Sequence, residues 1–297
     1  MEIAFALAAV FLFGSALGLA MTGSRARRVL LLVISAVGLV APFVKPDLSM
    51  AARIVLSGGL ALLFMRLVDL ARERHELPAW RRMLHAVALM EMRRTRRIPP
   101  RIHVRGLVQI LLFGTLAALS IGAMLRMPPS GELSSRVLRV LAATVFAYTA
   151  FESIVGFATV LWAALGFDLP LLHNQPIKSR TVAEFWGERW NRQVGTWLRV
   201  HCFMPFARRR QPSLGIAAAF AASSVLHIYL AWAVFDARGA FMWAVFFALQ
   251  IPIVLTERAI RVASWPTPLA RIWSIGVMCA ASPLFVEPVL RSFDSLR

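Results

Sequence analysis

The sequence predicts an all-α polytopic membrane protein, with about eight transmembrane helices and additional amphipathic helices lying at the interface. Three observations predict it. Of 297 residues, 59% are hydrophobic and 16% charged, with a mean hydropathy of +0.67, too apolar for a soluble domain whose helices bury a single face. Charge-free runs of membrane-crossing length recur along the chain. Between them arginine is gathered into blocks. In a soluble protein a net charge of +18 would point to nucleic acid; gathered between apolar runs it marks membrane topology, so no nucleic-acid partner is expected.

A bilayer core takes roughly 20 apolar residues as helix, with about 17 tolerated. Six runs meet or approach that length: 3–21, 29–44, 106–125, 213–235, 239–256 and 272–286. A seventh, 140–167, is interrupted only by Glu152, and an eighth, 54–65, becomes a span if Arg66 snorkels to the interface. Only Glu2 precedes the first run, without a basic segment, so that run reads as a retained anchor rather than a cleaved signal. Lys and Arg accumulate in cytoplasmic connections, and here every second connection is rich in them, the others being shorter and poorer in charge. The first has Arg25, Arg27 and Arg28, and the third, 66–105, holds eleven arginines. The fifth has Lys178, Arg180, Arg189, Arg192, Arg199, Arg208, Arg209 and Arg210, and the seventh has Arg258, Arg261 and Arg271. Both termini are therefore expected outside the cytoplasm, at an inner membrane in a bacterial source. Labelling the Gly131 and Arg94 regions should reach them from opposite sides. Cys202 and Cys279 lack disulfide or metal-ligand spacing. No repeat or soluble domain stands out, so residues 1–297 read as one membrane-embedded domain.

Within the third connection, 80–92 mixes Met83, Leu84, Val87 and Met90 with flanking arginines. It fits an amphipathic helix on the membrane surface or a solvated basic loop that only fixes topology. Composition changes sharply over 166–210, which is polar, aromatic and basic together. Plotted as one helix, Trp186, Trp190 and Trp197 fall within a sector of roughly 40°, with Arg189, Arg192 and Arg199 on the far side and Asn191 at the border. Such a helix would lie at the interface, either as a site element or as an aromatic anchor belt.

His227 is the one ionisable residue in the charge-free run SLGIAAAFAASSVLHIYLAW. An intramembrane ionisable group is a functional candidate, and a neutral imidazole can take and return a hydroxyl proton near physiological pH. It fits equally a neutral histidine bonded to a neighbouring helix, or to Ser223 or Ser224 one turn away. Glu152 reads rather as a protonated or paired helix contact. Gln250 fits interhelical bonding or a site donor.

At these residues the chain resembles the membrane-bound O-acyltransferase superfamily, in its wax synthase-like branch. Asn174, Pro176 and Ser179, followed by EFWGERWN, are similar to that branch's Asn-x-Pro, Ser and Phe-Trp-Gly-x-Arg-Trp-Asn pattern. WLRVHCFMP, from Trp197 to Pro205, is similar to the spacing after the equivalent box in sterol and diacylglycerol acyltransferases. Ser223 and His227 match a Ser-x-x-x-His element, and ALQIP, ending at Pro252, and SPLFVEP resemble further elements of the same enzymes. The resemblance is strongest over 166–291; before about residue 160 it rests on hydrophobic helices alone. It departs after the histidine, where the family often has Glu and this chain has Ile228.

The resemblance implies that Asn191 and His227 are the catalytic residues, with Trp186, Trp190 and Gln250 as secondary site positions. It implies acyl transfer from acyl-CoA, as co-substrate with no cofactor or metal, to a hydrophobic alcohol drawn from membrane lipid, giving a wax ester. Arg189, Arg192, Lys178 and the cluster Arg208, Arg209 and Arg210 are the candidates for the donor's phosphates. A glycan, sterol, protein or other lipid acceptor fits the same residues, since acceptor choice lies in pocket shape. A transporter would be favoured by inverted repeats or paired broken helices, neither of which is visible. A non-catalytic scaffold is favoured only by Ile228.

Overall fold

A computed structural model describes the chain except for residues 46, 74, 76, 89–90, 94, 129–131 and 295–297. Met90, Gly131 and Arg94 therefore lie outside the described residues. Among the described residues, eight helices are long and apolar enough to cross a membrane, and the chain is an all-α polytopic membrane protein. It divides into two compact units, one of residues 1–95 with 226–240, the other of residues 96–225 with 241–297.

The first unit contains α1 (Glu2–Ala20), α2 (Arg25–Gly38), the short α3 (Ala41–Val44), α4 (Met50–Arg72) and α5 (Ala79–Val87). Ser24 and Ser49 cap α2 and α4, accepting from the Arg27 and Ala52 amides and satisfying donors that helix starts leave open. Leu17, Met21, Leu31, Leu60, Leu63, Leu67, Leu70 and Ala86 form one apolar cluster. Ala86 draws α5 into that cluster through a close approach to α1. A Cβ added at Gly18 would stand 2.7 Å from the Ala86 Cβ and 3.0 Å from the Arg82 carbonyl oxygen, so only glycine lets the two backbones meet. The helix expected around 80–92 thus exists, ends at Val87, and packs on α1 instead of being a solvated loop.

Beside α5 lies a cluster of charges, and it corrects the expectation for Arg66. Instead of snorkelling, Arg66 is buried and faces Glu91 at 3.8 Å. Arg93 joins three carboxylates, Asp69 at 3.3 Å, Glu73 at 3.3 Å and Glu91 at 2.9 Å. His85, fully buried, lies 3.6 Å from Asp69 through Nε2 and 3.2 Å from Glu91 through Nδ1. Burial pushes the His85 imidazole below its ordinary range, against the pull of the two carboxylates. An arginine facing a carboxylate from the next connection avoids the cost of an unpaired charge at membrane depth. With these pairs in place α4 runs from Met50 to Arg72, beyond the apolar run 54–65 at both ends.

The second unit contains α6 (Val104–Arg126) and α7 (Leu133–Ala164), and the two-residue strands β1 (Arg96–Arg97) and β2 (Phe167–Asp168), paired antiparallel just outside these helices. After them come α8 (Val182–Glu184), α9 (Arg192–Leu198) and α10 (Met204–Ala207), then the long α11 (Pro212–Val234), α12 (Ala237–Ala259) and α13 (Thr267–Asp294). Met124, Ala143, Val286 and Leu290 cluster where α6, α7 and α13 meet. Thr144 and Ser282 bridge α7 and α13 at 3.0 Å, and an ion pair between Arg139 and Asp294 ties their ends. Phe246, Phe247 and Ala281 form a second cluster, with Trp186 packed against it. The stretch 226–240 around the α11–α12 turn, which includes His227, groups with the first unit.

Candidate active site

The segment from Gly166 to Arg210 is not one amphipathic helix, and the shared Trp face expected from a continuous wheel does not form. Three short α-helices alternate with two π-helical turns, at Phe185–Arg189 and Arg199–Phe203. The break falls inside the FWGERWN box. Trp190 is extended and its amide donates to the Phe185 carbonyl at 2.8 Å; Asn191 then turns left-handed at φ 35. Asparagine tolerates that region better than most residues because its short amide bonds locally. Here Asn191 Oδ1 accepts the Val194 amide and caps α9. An amide whose oxygen caps a helix offers its Nδ2 group as the donor end.

What precedes the box fixes its entry. Thr181 Oγ1 accepts the Glu184 amide at 2.9 Å, while Glu184 Oε2 reaches back to the Arg180 amide at 2.7 Å, a close variant of the capping box. Glu184 Oε1 also pairs with Arg189 Nε at 2.6 Å, and Arg189 Nη1 donates to the Asn174 carbonyl at 3.0 Å. From below, buried Glu257 on α12 accepts the Val182 and Ala183 amides at 2.8 and 3.2 Å and the Trp273 indole at 2.9 Å. A carboxylate at the start of a helix compensates its open amides. Glu257 was not singled out from sequence, where it reads as one charge at the end of a span.

The box then folds back over α9 at Gly195. A Cβ there would stand 2.9 Å from the Trp186 carbonyl oxygen, a backbone atom with little room to move. Gly195→Ala is expected to cost about 1–3 kcal/mol through overpacking and to lower activity with it. Gly187→Ala, where nothing lies within 4 Å, should be tolerated. Thermal unfolding of the two variants in detergent checks the pair, and equal behaviour would contradict the fold-back.

Of the residues singled out from sequence, the structure joins Trp186 and Gln250 directly: the indole Nε1 donates to Gln250 Oε1 at 3.1 Å. Gln250 is fully buried and its Nε2 donates to the Phe246 carbonyl at 3.0 Å. The amide is thus tied to its own helix at one end and to the box at the other, where it holds Trp186. Trp190 lies nearly parallel to Phe185 and His173, at 5.6 and 4.4 Å between ring centroids. Lys178 and Arg192 are exposed, and Arg192 Nη1 lies 3.5 Å from the Leu171 carbonyl. Glu152 is paired, as expected, with His173 Nδ1 at 2.9 Å and Gln109 Nε2 at 2.7 Å. His173 had passed unnoticed, although it stands directly before Asn174 of the motif. His227, half-buried on α11, belongs to the other unit.

Beside the Glu184–Arg189 ion pair, the box carries one carboxamide, Asn191, and two indoles, Trp186 and Trp190, packed against aromatic side chains. Among the described residues, the group with metal-ligand proximity is Asp69, His85 and Glu91 in the first unit. There Arg93 Nη2 bridges both carboxylates, at 3.3 Å from Asp69 and 2.9 Å from Glu91.

A model of the family described as Membrane bound O-acyl transferase matches residues 169–249. The likeness is to the wax synthase-like branch of the membrane-bound O-acyltransferases. The matched segment of this O-acyltransferase-like chain contains the folded box, Asn191 and His227. Two Arabidopsis thaliana proteins bear names of that branch. The Probable long-chain-alcohol O-fatty-acyltransferase 3 is 31% identical over 153 residues, which cover 45% of this chain and 43% of that protein. The Probable long-chain-alcohol O-fatty-acyltransferase 2 is 27% identical over 163 residues, covering 50% and 48%. The matches thus span just under half the length of these curated relatives.

Proposed function

We propose that this chain transfers a fatty acyl group from a CoA thioester to a hydroxyl acceptor within the membrane, with a long-chain alcohol as acceptor and a wax ester as product. The observation that carries the reading is the placement of Asn191: inside the family-matched segment, at a left-handed turn held by capping bonds, with its amide oxygen committed to the helix. In this reading His227 takes the hydroxyl proton as the alcohol oxygen attacks the thioester carbonyl. The C–O bond forms, the C–S bond breaks, and the imidazolium returns the proton to the departing thiolate, so that free CoA leaves as the thiol. Asn191 Nδ2 donates to the carbonyl oxygen as negative charge develops on it. Thiolate is a good leaving group, so these steps need no covalent enzyme intermediate.

The donor carries phosphates at one end and an apolar chain at the other. Lys178, Arg192 and the cluster Arg208, Arg209 and Arg210 are exposed, and Arg189 is part of the box itself; in this reading they meet the donor's phosphates while the acyl chain lies among apolar side chains. Neutralising Arg189 and Arg192 together is expected to raise the KM for acyl-CoA, most at low ionic strength, and to leave a short-chain donor without the nucleotide nearly unaffected. Because Arg189 also braces Glu184, an equal loss with both donors would show that its charge serves the fold alone. Lipid profiling of cells with and without the protein tests the whole reading. A new class of fatty ester names the acceptor, and an unchanged ester profile with a changed transmembrane solute gradient would favour a transporter.

A further inference from the structure

Glu152 and His173 form a buried polar pair on which the acyl-transfer reading places no demand. Glu152 lies deep in α7, where an isolated carboxylate is costly, and only 5% of its surface is exposed. Its Oε1 is 2.9 Å from His173 Nδ1, and its Oε2 accepts from Gln109 Nε2 of α6 at 2.7 Å. A carboxylate held on both oxygens fixes the plane of the imidazole it bonds. That plane lies 20° from the indole of Trp190, at 4.4 Å between centroids. Trp190 directly precedes Asn191, so the orientation of the indole is coupled through one peptide to the left-handed turn.

The backbone around His173 grips the same turn from both sides. The Asn174 amide donates to the Arg189 carbonyl at 2.9 Å, and the Arg192 amide donates to the Leu172 carbonyl at 2.8 Å. Residues 172–174 therefore run beside residues 189–192 like a short ladder, with Trp190 and Asn191 as its rung-free loop. A shift of about 1 Å in a reacting group's position can lower turnover by about 10²-fold, so a brace on this loop has leverage.

We infer that Glu152 and His173 are positioning residues that hold Trp190, and through it the Asn191 carboxamide, in the geometry acyl transfer uses. The pair touches no reacting atom. Its effect belongs to turnover, with little on binding of either substrate. This inference rests on the proposed role of Asn191, and its test has a readout that does not depend on that role.

The experiment uses the full chain in lipid nanodiscs, with hexadecanol and palmitoyl-CoA for turnover and hydrogen exchange of the peptide spanning 186–197 for the loop. His173→Ala is expected to lower kcat by about 10- to 100-fold with KM for both substrates within about two-fold, and to speed exchange in that peptide at least about ten-fold. Glu152→Gln, which keeps an oxygen for the imidazole, should lower kcat less. Combining His173→Phe with Glu152→Leu keeps a flat ring under Trp190 and removes both buried polar partners at once. It should restore slow exchange and return kcat to within about three-fold of the unaltered chain. Unchanged exchange in His173→Ala, or fast exchange persisting in the double variant, overturns the inference. If the exchange results hold but Asn191→Ala turns over normally, the loop is braced for another purpose, and the reading of Asn191 is what fails.

Discussion

On the proposed reading, alanine at His227 is expected to lower ester formation by about 10²- to 10⁴-fold, the range set by loss of a general base, with the amount of chain inserted in the membrane unchanged. His227 stands within the run of α11 that crosses the bilayer, and no carboxylate follows it, since Ile228 occupies that place. A general base at this position would therefore act without an adjoining acid on its own helix. If it serves only as a helix contact, the alanine variant loses stability and keeps its turnover per folded molecule. Steady-state assays normalised to folded protein separate the two outcomes, and near-normal turnover rules out the base.

Alanine at Arg93 is expected to lower stability by about 3 kcal/mol, because it leaves the buried Asp69 and the half-buried Glu73 without their guanidinium and Glu91 with Arg66 alone. The guanidinium joins Asp69, Glu73 and Glu91; partial exposure keeps the figure at the low end of the range for buried pairs. Lysine there recovers only part of the loss, since a point charge cannot fork between three acceptors. Burial alone would raise the Glu91 carboxyl, but the hydrogen bond from Arg93 and the charges of His85, Arg93 and Arg66 hold it below its ordinary value of 4.5. Its contribution to stability is complete above that value and is lost as the pH falls through the lower folded one. Thermal unfolding in detergent, with pH varied, measures both effects; equal midpoints for Arg93→Ala and the unaltered chain would contradict the assignment.

The spans were legible because length and charge-free runs report directly on what a bilayer accepts. All eight runs correspond to helices, and the differences lie at their ends. Arg66 shows what that signal cannot carry: a charge inside a span reads as an interface marker until its partner, Glu91, is found 25 positions along the chain. The box between Phe185 and Asn191 shows a second gap. Its residues announce a site, but a wheel drawn at 100° per residue assumes an unbroken helix, and a π-turn followed by a left-handed asparagine resets the phase. His173 and Glu152 were each visible in sequence, 21 residues apart, yet nothing in their spacing announces that one bonds the other. Such long-range polar pairing follows from how helices pack, and a single sequence holds no periodic trace of it.

On the proposed function, this chain joins an acyl thioester to an alcohol. The purified chain, reconstituted in lipid and given palmitoyl-CoA with hexadecanol, tests it through two products counted in the same reaction: free CoA thiol and hexadecyl palmitate. Both are expected in equal amounts, neither without the alcohol, and neither from a chain with alanine at His227 and at Asn191. Thiol released with no ester, at a rate indifferent to the alcohol and to both substitutions, would contradict it.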